Sequence, residues 1–554
     1  MSTVLPIWGA VLILCLSCLG VGSRLVTSRQ PLVALLAGWS VFLALSCVPW
    51  FAGLSANAVR PLFWIFFGAG LWGIWRGRLW TEALITLLAT AAVAFGLLHR
   101  CYAYEDGAKA FGAHGTDMWG YVGVAEWLYT HSTRELPVMG ESPMRFTWTW
   151  YVLTTRERPL IYEALACLGA STGLDAVKAY MAWPVALMAT LAIGLASTAG
   201  MFGTRHWALA LVPALVMVFH PLPVLHWIAG FAAGTIVGLL VGLAFASVAV
   251  VESGPARTEA AALAVLTLVF CGGLYSPSFM LVGVGLAGAL WASGGIAALW
   301  SRGWRAVLKD RPGLMTAGTL AVASVVAAAT RGLSGDEVIG LSGFAWNRET
   351  LAQALGIFGL NSPYSWMFYR SMEPWDLDPW FNPVGLIASA GMLVLFLGAA
   401  WASWRGERDL RIPLLVAICV VGLVRVGGDE RAVMSKAMPI FGVALIFLTA
   451  AISARLRPRW LGLLAAVLCV LPVVRSYDEL RELIRDPYIT VTDANITAGL
   501  EDGHNWRIMG YLYFREDSHG YVWADNPKFF FSMTCFLPKS DQAMLRQKHG
   551  LPPL

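Results

Sequence analysis

From residue 4 to residue 474 the chain is divided into apolar runs, most of them about as long as a helix that crosses a bilayer. This division constrains the fold more than any motif. A backbone in lipid must satisfy its own N–H and C=O groups, so such runs become helices. Spans are read at 4–23, 31–54, 60–75, 80–98, 175–200, 206–222, 227–251, 258–275, 277–300, 313–330, 383–404, 412–427, 437–454 and 459–474. Those at 60–75 and 412–427 are short. The composition agrees: 58% of residues are hydrophobic and 13% charged, against about 25% charged in an ordinary soluble domain. A net charge of +5 is small for 554 residues and gives no footprint for nucleic acid. The 26 Trp suit helix ends at headgroup level.

Lys and Arg in the short connections set the orientation. Arg24 and Arg29, Arg76 and Arg78, Arg205, Arg257, the run from Arg302 to Arg311, Arg405 to Arg411, and Arg455 to Arg459 all follow odd-numbered spans. These connections are therefore expected in the cytoplasm. Three long polar segments, 99–174, 331–382 and 475–554, then share the opposite side. Two domains follow: a membrane domain over 1–474 with external loops at 99–174 and 331–382, and a small α+β C-terminal domain over 475–554. The first helix is read as retained, because no basic residue precedes Arg24. Six of the nine Cys lie in apolar runs, and Cys101 and Cys535 can pair only if both are external. Asn495-Ile496-Thr497 matches a glycosylation triplet by pattern alone and carries no weight.

The stretch from His114 to Glu163 has the richest chemistry. It opens with His114-Gly115-Thr116-Asp117-Met118-Trp119-Gly120-Tyr121. A short helix is expected over 119–129, with Tyr121, Ala125 and Leu128 on one face and Asp117 near its start. Asp117 there is either a helix cap or a base. The stretch ends in Arg156-Glu157-Arg158-Pro159-Leu160, where Pro159 is suited to open a helix over 160–168. Arg156 and Arg158 suit phosphate in a bidentate fork, and equally suit snorkelling to headgroups.

Together these two segments resemble the GT-C superfamily of polytopic glycosyltransferases, which includes the protein O-mannosyltransferases and the lipid A aminoarabinose transferases. Asp117 with Tyr121 is similar to the acidic residue and tyrosine-rich helix of that family's first external loop. Glu157-Arg158-Pro159-Leu160 is similar to its Glu-Lys/His-Pro segment, with Arg in place of Lys. The apolar runs amount to about fourteen transmembrane helices, and the resemblance implies that they form an all-α membrane fold of GT-C type. It also implies a polyprenyl-phosphate sugar donor and a glycan, lipid or protein acceptor, with transfer outside the cytoplasm of a bacterial inner (plasma) membrane. Asp117 would be the base and Arg158 a ligand of the donor phosphate. Arg431 and Lys436, near the point where relatives carry a cation, would be further phosphate ligands. A divalent metal is compatible with this chemistry but not required by it.

Weaker substrate-binding candidates are Tyr121, Glu157, His226 in Phe219-His220-Pro221-Leu222-Pro223-Val224-Leu225-His226, and Glu373, Asp376 and Asp378 in Glu373-Pro374-Trp375-Asp376-Leu377-Asp378. Several relatives have a carboxylate in the next external turn; this turn has none, and His226 beside Trp227 reads first as structural and second as a polar ligand in its place. Glu373, Asp376 and Asp378 read first as a solvated loop and second as a sugar- or metal-binding group. Two other classes stay open. One is an O-antigen ligase- or polymerase-like enzyme using a polyprenyl-diphosphate glycan. The other is a lipid-linked sugar transporter or flippase, which calls for ionisable groups inside the helices.

Overall fold

The computed structural model describes residues 4–98, 116–135, 159–198 and 255–274, most of 239–251, and 401. Among these residues the regular structure is all helical. The helices are α1 (Val4–Leu25), α2 (Pro31–Ala52), α3 (Ala56–Gly77), α4 (Trp80–Leu98), α5 (Thr116–Thr130), α6 (Pro159–Thr172), α7 (Ala176–Thr198) and α8 (Pro255–Leu274). Helices α1, α2 and α3, 22 residues each, are long and apolar enough to cross a membrane. The expected spans at 4–23 and 31–54 appear as α1 and α2, and helices α4, α7 and α8 overlap the ranges read at 80–98, 175–200 and 258–275. The short span read at 60–75 is a full-length helix. Ser55 accepts the Ala58 N–H and caps it, and Pro61 lies inside the helix, where it leaves the Asn57 carbonyl without its helical donor. The C-terminal domain and the later spans lie outside the described residues.

Helix α1 meets α2 and α3 through close backbone approaches. A Cβ added to Gly38 would meet the Cys18 backbone, one on Gly70 would meet Ser17, and one on Gly20 would meet the Gly70 carbonyl. Small residues at these crossings are the usual means of close packing where lipid removes the hydrophobic drive between helices. The outer faces contrast with this seam. On α3 and α4, Ile65, Trp72, Trp75, Leu84 and Leu88 are exposed, Ile65 to 68%. Apolar residues exposed in this number form a face for lipid. Deeper in, Trp39 and Phe42 of α2, Phe63 of α3 and Trp183 of α7 form an edge-to-face cluster, with Trp39 and Trp183 5.4 Å apart. The Trp39 indole N–H donates to Thr190 Oγ1 (3.0 Å), so its one polar group is satisfied inside.

Two sets of contacts join segments that the charge pattern places on the same side. Thr27, between α1 and α2, donates its N–H and hydroxyl to Glu259 Oε2 near the start of α8, at 2.9 and 2.7 Å. At the other rim Arg134, just beyond α5, lies over Gly53 and donates to the Phe51 carbonyl (2.7 Å) at the end of α2. Gly53 is left-handed at φ 66°, which ends α2 and leaves room for that side chain.

Candidate functional site

Of the candidate residues, Asp117 and Tyr121 fall on the described chain. Asp117 is the second residue of α5, which begins at Thr116 rather than 119. Tyr121, Val124, Ala125 and Leu128 are buried on one face, as the spacing predicts. The second expected helix is also present: Pro159 opens α6. Arg156, Glu157, Arg158, His226, Glu373, Asp376, Asp378, Arg431 and Lys436 lie outside the described residues, as do Cys101 and Cys535.

Helices α5 and α6 lie side by side and point the same way. Near their starts the ring of Tyr121 stacks on that of Tyr162, centroids 5.3 Å apart, and on Tyr180 of α7 at 6.3 Å. Near their ends the Tyr129 hydroxyl donates to the Leu174 carbonyl (3.0 Å), two residues past α6. Gly169 permits this approach, since a Cβ there would meet the Tyr129 hydroxyl. The two N-terminal turns therefore converge. Asp117 precedes Tyr121 by about one turn, a rise of about 6 Å. Arg158 is bonded directly to Pro159, the first residue of α6. Free N–H groups and the positive ends of two helix dipoles accumulate here.

The surroundings fix the pair rigidly. The Trp64 indole N–H of α3 donates to the Ser171 carbonyl at the end of α6 (3.1 Å). Asp175 caps α7, accepting the Lys178 N–H at 2.8 Å and pairing with its ammonium. Beyond α5, His131 stacks flat on Trp127 at 3.6 Å, and Glu135 accepts from Ser132 N and Oγ. Those two bonds hold the Glu135 carboxyl below its ordinary value.

One finding departs from the polar external loop read over 99–174. Helix α6 is buried along its length from Leu160 to Ala170, against α2, α3, α5 and α7. Its carboxylate, Glu163, is fully buried. Sequence reasoning placed it only at the border of the polar stretch. The signal was present: no Lys or Arg stands three or four residues to either side, so no partner on its own helix can hold it. Among the described residues, no cluster of His, Cys, Asp and Glu could hold a metal.

No protein-family model matches the chain, and no curated protein matches it in sequence. The described residues define the class alone: an all-helical chain with bilayer-length apolar helices, consistent with an integral membrane protein.

Proposed function

We propose that this chain is a membrane glycosyltransferase of GT-C type. It moves a sugar from a polyprenyl-phosphate donor to an acceptor hydroxyl outside the cytoplasm, with inversion. The observation that carries this reading is the convergence of the α5 and α6 N-terminal turns. It brings the Asp117 end of one helix to the helix that Arg158 immediately precedes. Two aligned helix N-termini favour an anion, which suits the donor phosphate. Arg158, with Arg156, Arg431 and Lys436, supplies charge to the departing phosphate, so no acid is needed to protonate it. Asp117 takes the acceptor proton as its oxygen attacks the anomeric carbon.

The test is transfer from a synthetic polyprenyl-phosphate sugar by purified protein, wild type against Asp117→Asn, at saturating donor. Transfer by wild type and its loss in the variant are expected; equal turnover removes Asp117 as base. Sidedness is tested by single cysteines placed in 99–174, 331–382 and 475–554 and labelled in intact cells. All three are expected to label, and a cysteine near Lys309 is not. The reverse pattern overturns the topology.

A second reading, a lipid-linked sugar transporter, draws on the buried Glu163, since ionisable groups inside a helix bundle mark transport pathways. Donor-driven uptake into vesicles without hydrolysis or transfer would favour it.

A further inference from the structure

Glu163 is fully buried, and neither Oε1 nor Oε2 has a hydrogen-bond partner among the described residues. Buried polar atoms are paired in roughly 90% of cases or more, so each exception calls for a reason. An unpaired carboxylate with no water around it is costly enough that it takes a proton instead.

The groups around it supply no charge to offset. Its titratable neighbours are thiols, Cys47 of α2 and Cys167 one turn along α6. The adjacent Tyr162 stacks on Tyr121 of α5, which in turn stacks on Tyr180 of α7. Of the charged groups on the other packed elements, Arg257 of α8 is buried with a contact of its own, and Arg76 and Arg78 at the far end of α3 are exposed. Arg60 of α3 lies over Trp64, Lys178 of α7 is paired with Asp175, and Glu259 of α8 holds Thr27. Glu126 of α5 is exposed, and Cys271 of α8 is a buried thiol. No described cation forms an ion pair with Glu163.

We propose that Glu163 is a proton-binding site: the folded protein keeps this carboxyl neutral at neutral pH, and its ionisation opposes the packing of α6 against α2, α5 and α7. The site stands apart from the transfer reading, although Tyr162 links it to the helix that carries Asp117. Burial pushes the Glu163 carboxyl up from 4.5 to about 8. The native chain then holds one proton that the unfolded chain releases between those values. The stabilisation is complete below about 4.5. It falls by roughly tenfold in the folded-to-unfolded ratio per pH unit as pH rises toward about 8, and is gone above that.

The experiment uses the full chain in lipid nanodiscs. Infrared spectra of wild type are compared with those of Glu163→Gln across neutral and alkaline pH. A protonated-carboxyl band is expected at neutral pH in wild type, fading with a midpoint near 8 and missing from the variant. Unfolding measured over the same range should show the extra tenfold-per-unit slope in wild type alone. A spectrum at neutral pH without a Glu163-dependent band, or equal slopes, overturns the proposal. Should Glu163→Gln fail to fold, Glu163→Met, of similar length and without a titrating group, replaces it. The wild-type titration also decides by itself: isotope-labelled glutamate showing no protonated band at neutral pH overturns the assignment.

Discussion

The seam of α1, α2 and α3 and the α5–α6 pair are both buried, yet they are built on opposite terms. At the seam, Gly20, Gly38 and Gly70 bring backbones into contact, and serine hydroxyls turn back to their own helix, as Ser17 does to Ile13. Little there is left to react. At the pair, contact is made by tyrosine rings and a donated hydroxyl, and α6 carries a buried carboxyl besides. Close-packed backbone gives stability and little chemistry. Helices held apart by large side chains leave room at their ends for groups that act. Substitutions at the seam should therefore change stability and leave the intrinsic activity of folded protein alone, and substitutions at the pair should do the reverse.

The largest effect that sharpens this contrast is expected from Asp117→Asn. Asn keeps the size of the side chain at the second position of α5, so α5 should keep its start and the protein its unfolding midpoint. Turnover at saturating donor should fall by roughly 10²–10⁴-fold, the usual worth of a general base. A large loss of stability with turnover intact would place Asp117 with the structural seam instead.

Arg158→Ala comes next. Loss of a charge-assisted hydrogen bond to phosphate is worth about 1.5–3 kcal/mol, a tenfold to hundredfold weaker donor interaction. Donor titration in the folded variant measures it, and an unchanged donor constant assigns Arg158 to headgroups.

Gly38→Leu tests the other side of the comparison. The new side chain would run into the Cys18 backbone, which cannot rotate away as a side chain can. Overpacking costs about 1–3 kcal/mol in ordinary cores and more against backbone. Denaturant unfolding in mild detergent should show the loss, and activity per folded molecule should stay near wild type.

The two regions also differ in how far the sequence exposes them. Apolar length alone locates α1, α2, α4 and α7, because lipid leaves a 20-residue apolar run only one structure. The buried face of α5 is legible from the spacing of Tyr121, Ala125 and Leu128, and the start of α6 from Pro159. What spacing does not give is which helices meet. The parallel setting of α5 on α6 depends on Tyr121 finding Tyr162 across 41 residues, and Arg134 finds the Phe51 carbonyl across 83. Glu163 was hidden for a related reason. Its neighbours Tyr162 and Ala164 are compatible with either a loop border or a buried helix, and only tertiary packing separates the two.

The smallest expected effect is also the most specific to the pair. Tyr129→Phe removes one hydroxyl and nothing else, leaving the ring in place between α5 and the end of α6. The bond it loses, to the Leu174 carbonyl, is a neutral one at 3.0 Å, worth about 0.5–1.5 kcal/mol net. Leu174 follows the end of α6, so its carbonyl would be left without this donor while the tyrosine stack at the far end stays whole. If the two helices act as one rigid unit, the small loss appears as a lower unfolding midpoint with the pair's register intact. A disulfide engineered between the starts of α5 and α6 should then restore the midpoint, because it fixes the end the substitution does not touch. If the register depends on this bond, the variant should lose transfer activity far beyond its loss of stability, and the engineered disulfide should recover that activity. Measuring midpoint and turnover on the same two variants separates these outcomes, and a null effect on both would show that the tyrosine stack alone aligns the pair.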